Sequence, residues 1–197
     1  MRAELQVPRP RRTRNDKLKE FLRVSVSLWW MLIGSATATT VSPIAVEELA
    51  RRADVVVEAR AVRSWSQWDE GQHLIYTYTR FAVGRALKGA AGPAIVVRQM
   101  GGTAGGYTQK VAGVRQWTPG EESVLFLRAS DARDGSMAVV GLMQGSFVVV
   151  HEASGETTVS NGVPEVSSFE RGAVRTYTGS RMTLRELERR VGRAVQP

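Results

Sequence analysis

Between Ala53 and Val150 the apolar residues of this chain repeatedly fall on alternate positions, and this period of two constrains the fold most. A helix would space them three and four apart; alternation puts them on one face of a strand. In "ADVVVEARAVRSW", Val55, Val57, Ala59 and Ala61 fall on one side, and Val56, Glu58, Arg60 and Val62 on the other. "SQWDEGQ" carries turn chemistry. "HLIYTYTRFAVGRALKG" then reads as a long second strand, and Gly84 within it marks a bulge or bend of the kind a curling sheet needs. "AIVVRQM", "SVLFLRA", "SMAVVG" and "QGSFVVV" continue the series as strands three to six. "HEASGETTVSNG" reads as a hairpin or loose excursion, and residues 164–181 as irregular.

Helices are expected only at the ends. "SPIAVEELARRA" offers Ser42 as a cap and Pro43 at the first helical position. Its acids come early and its arginines late, as the helix dipole favours. "MTLRELERRVGRAV" has Thr183 and Glu186 at capping-box spacing and Leu184, Leu187 and Val191 on one face. The expected fold is mostly β: a five- to six-stranded OB-like barrel with a short N-terminal helix and a C-terminal helix. Residues 39–197 are read as one domain, with the barrel core at about 53–150 and an extension at 151–197.

The net charge is +8, but its distribution argues against a nucleic-acid domain. Eight basic residues against three acidic ones lie in residues 1–38, and five against two in the last 17. Residues 39–180 are balanced, fourteen against fourteen, whereas a nucleic-acid module carries its basic stripe on the folded body. The front end fits a signal peptide: a basic segment, the uncharged run "VSVSLWWMLIG", then Ala36-Thr37-Ala38 as a small-x-small cleavage site. The run of eleven is too short to span a bilayer, which needs about 20 residues. The expected location is secreted or periplasmic. There is no cysteine, so thiol catalysis and thiolate metal sites are excluded.

The pieces Ala53–Val62, Ile75–Gly89, Ile95–Gly106, Gly120–Leu127 and Met137–Val150 resemble the netrin-like modules. These include the tissue inhibitors of metalloproteinases and some complement C-terminal domains. The shared pattern is an opening "ADVV" strand, a long strand closing on "KG", a glycine-bearing loop and a "GEE" strand. The resemblance spans about half of the chain and implies a five-stranded OB-type barrel flanked by helices. The animal inhibitors chelate the protease zinc through an N-terminal cysteine; this chain has none, so the resemblance carries architecture and no inhibitory residue.

The glycine-rich stretch "GGTAGGYTQK" lacks the Lys-Ser/Thr and the following helix of a phosphate-binding loop. It reads first as a connection between strands three and four. Its functional alternative is a binding loop built from Gly101, Gly102, Thr103, Gly105, Gly106 and Tyr107, with Trp117, Trp65 and Trp68 as nearby contacts. The same aromatics, with Tyr76 and Tyr78, also suit barrel packing. His73 and His151 lack the further ligands of a zinc site and read as solvated. Asp69/Glu70 and Glu121/Glu122 are adjacent pairs in turns and build no catalytic dyad. Arg185, Arg189 and Arg193 form a solvated helix stripe. No nucleophile motif, cofactor or metal is implied. The expected function is a non-catalytic module contacting a protein partner outside the cytoplasm. The alternative is a polysaccharide- or nucleic-acid-binding OB barrel, with nucleic acid disfavoured by the charge distribution and an enzyme disfavoured by the missing acid–base set.

Overall fold

The computed structural model describes residues 43–161, 166–170, 173–177 and 179–196. The signal-peptide reading of residues 1–38 and the proposed cap Ser42 lie outside them. Strands β1 (Val55–Trp68), β2 (Ile75–Lys88), β3 (Ala94–Met100), β6 (Glu122–Ala129) and β7 (Met137–Val139) form a ring. The order is β1-β2-β3-β7-β6, and β6 pairs back onto β1. All joints are antiparallel except β3–β7, where Val97 alone faces Met137. The ring is therefore thinnest at that joint, like the partly open Greek-key barrel of OB-like folds. From β6 the sheet continues through β8 (Ser146–His151) and β9 (Thr157–Ser160) to β12 (Arg181–Thr183). The hairpin read in "HEASGETTVSNG" is the β8–β9 turn.

Alternation assigns two cores. Val57, Ala59, Ala61, Phe81, Val97, Leu125 and Leu127 fill the ring. Val56, Val124, Phe126, Phe147 and Val149 point to the other side, under α1 (Val46–Arg52) and α2 (Leu184–Val195). β6 is buried on both faces, which is why "VLFL" is an unbroken apolar run. Each large apolar side chain buried this way contributes about 1.5–3 kcal/mol of transfer free energy. Leu49 of α1 and Leu187 of α2 are fully buried in the second core.

The pairing of β1 with β2 passes from Glu58–Arg85 to Ala59–Val83 and skips Gly84, a bulge at the position expected. The last of the three irregularities in this pairing, at Val62, turns the strand so that Ser64 and Ser66 follow Ala61 on the inner face. The "KG" at the end of β2 has a specific task. Lys88 Nζ donates to the carbonyls of Ala50 (2.8 Å) and Ala53 (2.6 Å), at the negative end of α1.

Three expectations need correction. Helix α1 begins at Val46 with Ala45 as its N-cap, so Pro43 lies before the helix; the Ile44 N–H is held by Gln144 Oε1 at 2.7 Å. Strand β1 runs on to Trp68, through the first three residues of "SQWDEGQ", because Trp68 still pairs with Ile75. Residues 164–181 are not irregular where described: β10 (Val166–Glu170) and β11 (Ala173–Tyr177) form a separate antiparallel pair. Their five-residue runs, "VSSFE" and "AVRTY", do not alternate apolar with polar residues, so they show no period of two. For α2, Thr183 Oγ1 accepts from the Glu186 N–H at 3.2 Å, which is half of the capping box. Glu186 spends its carboxylate on Arg189 and Arg190 instead. Among the described residues no helix is long and apolar enough to cross a membrane.

Candidate functional site

The glycine-rich stretch is a hairpin, not an unstructured connection. β4 (Gly102–Ala104) pairs with β5 (Tyr107–Gln109), and Gly105 and Gly106 form the turn with φ of 58° and 80°. Two successive positive φ values define a type I′ turn, which glycine adopts without strain. The hairpin's base is clamped to the start of β2. Gly101 N–H donates to the Ile75 carbonyl at 2.7 Å, and Gln109 Oε1 accepts from the Ile75 N–H at 2.8 Å.

Beneath the hairpin the inner face of β1 and β2 changes from apolar to hydroxyl-bearing. Ser64 and Thr79 are joined at 2.8 Å, and Ser66 and Thr77 at 2.8 Å. Thr77 Oγ1 donates to the Gly101 carbonyl at 2.7 Å. A threonine has one hydroxyl proton, so Ser66 is the donor in the Ser66–Thr77 bond. This ladder fixes the hairpin against the barrel and leaves Ser66 with acceptor capacity. A cleft of about 610 Å³ opens there, lined by Ser64, Trp65, Ser66 and Thr77 of the barrel, by Gly102, Thr103, Thr108 and Gln109 of the hairpin, and by Lys110, Val111, Val114 and Gln116. Lys110 is its one charged lining residue, and it has no carboxylate partner among the described residues.

Of the aromatics anticipated as contacts, the structure separates three roles. Tyr107 stands at the hairpin tip, 68% exposed, with Trp68 edge-on at 5.8 Å between ring centroids. Trp65 lies on the outer face of β1, half-buried, stacked on Tyr78 at 5.6 Å. Trp117 is a correction: it is 4% exposed and meets Phe81 edge-on at 5.1 Å inside the ring. The loop between β5 and β6 folds it inward as a plug, so it is no surface contact. Thr103 pairs with Thr108 across the hairpin at 2.9 Å. The serines and threonines under the hairpin were not singled out from sequence. The Ser-x-Ser of β1 facing the Thr-x-Thr of β2 was the available signal.

Of the acidic pairs, Glu70 is an exposed charge as expected, whereas Asp69, Glu121 and Glu122 are partnered. Asp69 accepts from the N–H groups of Leu74 (3.0 Å) and His73 (2.7 Å), which holds the β1–β2 turn; these bonds, the one from Leu74 most, hold its carboxyl below the usual value. Glu121 pairs with Arg115 and caps the Thr118 N–H. Glu122 bonds His151 Nε2 at 2.8 Å and also Arg60; these lower its pKa, the His151 hydrogen bond most. His151 is exposed, as expected, yet partnered on both ring nitrogens, Nδ1 lying 3.1 Å from Thr157 Oγ1. His73 is exposed. No group of three or more potential ligands that could hold a metal occurs among the described residues. No family model matches the chain, and no curated protein shows significant similarity to it.

Proposed function

We propose that the protein is an exported, non-catalytic binding module that contacts a protein partner outside the cytoplasm through the β4–β5 hairpin. The observation that carries this reading is Tyr107, a large aromatic side chain 68% exposed at a glycine turn, braced edge-on by Trp68. Tyrosine held this way offers contact area at small entropic cost, as interface anchors do. The clamps on Ile75 and Thr77 keep the hairpin in place before binding, which reduces the ordering cost of association. The ring order is compatible with the netrin-like resemblance, which we retain as part of the proposal.

The test is crosslinked capture of envelope and medium proteins by the full chain and by Tyr107→Ser, followed by affinity measurement with the purified captured protein. Capture by the parent, lost in Tyr107→Ser at unchanged melting temperature, supports the reading. Equal capture by both removes the hairpin from it. A second reading, a polysaccharide site, is favoured by the hydroxyl- and amide-lined cleft. Oligosaccharide binding that survives Tyr107→Ser and fails in Ser66→Val would replace the first.

A further inference from the structure

The outer face of β1, β2 and β3 carries a lattice that the hairpin reading does not use. Past the irregularity at Val62, Arg63 faces Arg80 across the β1–β2 pair, and Trp65 faces Tyr78. Tyr78 in turn faces Arg98 on β3. Opposed residues in a sheet share a face, so these side chains occupy one surface. All are exposed or half-buried. Ring and guanidinium groups interleave: the Arg63 Cζ lies 4.9 Å from the Trp65 ring centroid, and the Arg98 Cζ 3.4 Å from that of Tyr76. Stacking of this kind fixes a guanidinium plane and leaves its edges as donors.

Two features show that the lattice is not built for stability alone. Arg63 and Arg80 are like charges directly opposite each other, an arrangement that costs stability in a sheet. None of Arg63, Arg80 and Arg98 has a carboxylate partner among the described residues, although nine other arginines do. Arg98 Nε is buried without an acceptor. The carboxylate that feels Arg98, Asp134, is itself bonded to the Ser136 hydroxyl and N–H.

We propose that this face is a second contact surface and that it receives an acidic segment of a protein, carboxylates meeting the three arginines. Its composition separates this from a nucleic-acid face. Arginine, tryptophan, tyrosine and, at the row's end, Met100 are the residues enriched at protein interfaces, and no lysine stands among them. The rings also stack on one another and under guanidinium groups, so their faces are already occupied where a base would have to stack. The proposal rests on the reading of the chain as a protein-binding module and extends it to the partner's charge.

The test is a tryptophan-fluorescence titration of the full chain with a short poly-L-glutamate peptide and, separately, an oligothymidylate of equal charge. Four proteins are compared: the parent, Arg63→Gln/Arg80→Gln, the control Arg185→Gln/Arg193→Gln, and Tyr107→Ser. Binding of the peptide by the parent, weakened about tenfold by the first pair of changes and less than about twofold by the control, is expected. No binding, or equal loss in both double variants, overturns the proposal, and tighter binding of the oligonucleotide assigns the face to nucleic acid instead. Tyr107→Ser should keep peptide affinity while losing partner capture. If Arg63→Gln/Arg80→Gln leaves peptide affinity unchanged while Tyr107→Ser loses the partner, this inference fails and the hairpin reading stands; the reverse pattern removes the hairpin and keeps the arginine surface.

Discussion

Gly102 lies so close to Thr77 that a Cβ on it would stand 2.2 Å from the Thr77 hydroxyl oxygen, and 2.4 Å from that of Ser66. Its φ of 129° is a backbone state that side chains resist as well. Gly102→Ala must therefore break the Ser66–Thr77–Gly101 hydrogen-bond chain or lift the hairpin. We expect a loss of about 1–3 kcal/mol, as for overpacking in a tight site. Gly106→Ala, with nothing within 4 Å of the added carbon, should cost only the backbone strain, about 1 kcal/mol. Urea denaturation of the two variants checks the ranking, and equal costs would show that the close approach is not what selects glycine at 102.

Glu122 makes stability depend on acid. Its pKa is lowered in the folded protein by His151 first and by Arg60, so the folded state holds the charged form more firmly than the unfolded chain does. The resulting stability is present above the ordinary glutamate value of about 4.3 and is lost as pH falls through the lower folded value. Glu122→Gln should cost up to about 1 kcal/mol at pH 7, discounted because its partners are largely exposed. The gap between parent and variant should close between about pH 5 and pH 3. Unfolding midpoints taken across that range test the sign; a gap that widens on acidification would contradict it.

The strands of the ring were legible because each has a buried face, so period two survives in Val57-Ala59-Ala61 and in Ile75-Thr77-Thr79-Phe81. The doubly buried β6 was legible as an apolar run bounded by "PGEE" and "RAS". The β4–β5 hairpin was not, because three-residue strands of Gly-Thr-Ala and Tyr-Thr-Gln are too short to carry a hydrophobic pattern; only the Gly-Gly turn marked it. Trp117 was misjudged for a different reason. Its segment has no regular structure, so nothing local says that its ring enters the barrel; Phe81, 36 positions earlier, decides that. The arginine–aromatic lattice depends on the register of three strands, and the irregularity at Val62 sets which residues of β1 reach it.

Trp117 gives the test of that correction. Truncating a buried aromatic costs about 3–5 kcal/mol, so Trp117→Ala should lower the melting temperature steeply. Trp117→Phe keeps the edge-on contact with Phe81 and should lose less. Because the ring does not reach the surface, Trp117→Phe should bind the captured partner as the parent does. Thermal melts paired with partner titration separate the roles, and weakened binding by a fully folded Trp117→Phe would return this residue to the contact surface.

The opposed arginines predict a gain in stability on removal. Arg63 and Arg80 repel across the β1–β2 pair, and no carboxylate among the described residues neutralises them. Replacing Arg80 by Gln keeps length and hydrogen-bonding capacity while deleting one charge. Relief of a like-charge cross-strand pair is worth roughly 0.2–1 kcal/mol, so Arg80→Gln should melt at or above the parent temperature. Added salt screens exposed charges beyond about 10 Å at 0.1 M and progressively closer ones above that. The advantage of Arg80→Gln should accordingly shrink as salt is raised to about 1 M. Melting curves at low and high salt distinguish this from a packing effect, which salt would leave in place. A variant that is less stable at every salt concentration would mean that the Arg80 stem packs on the sheet more than its charge repels, and the pair would no longer stand as a cost maintained for a partner.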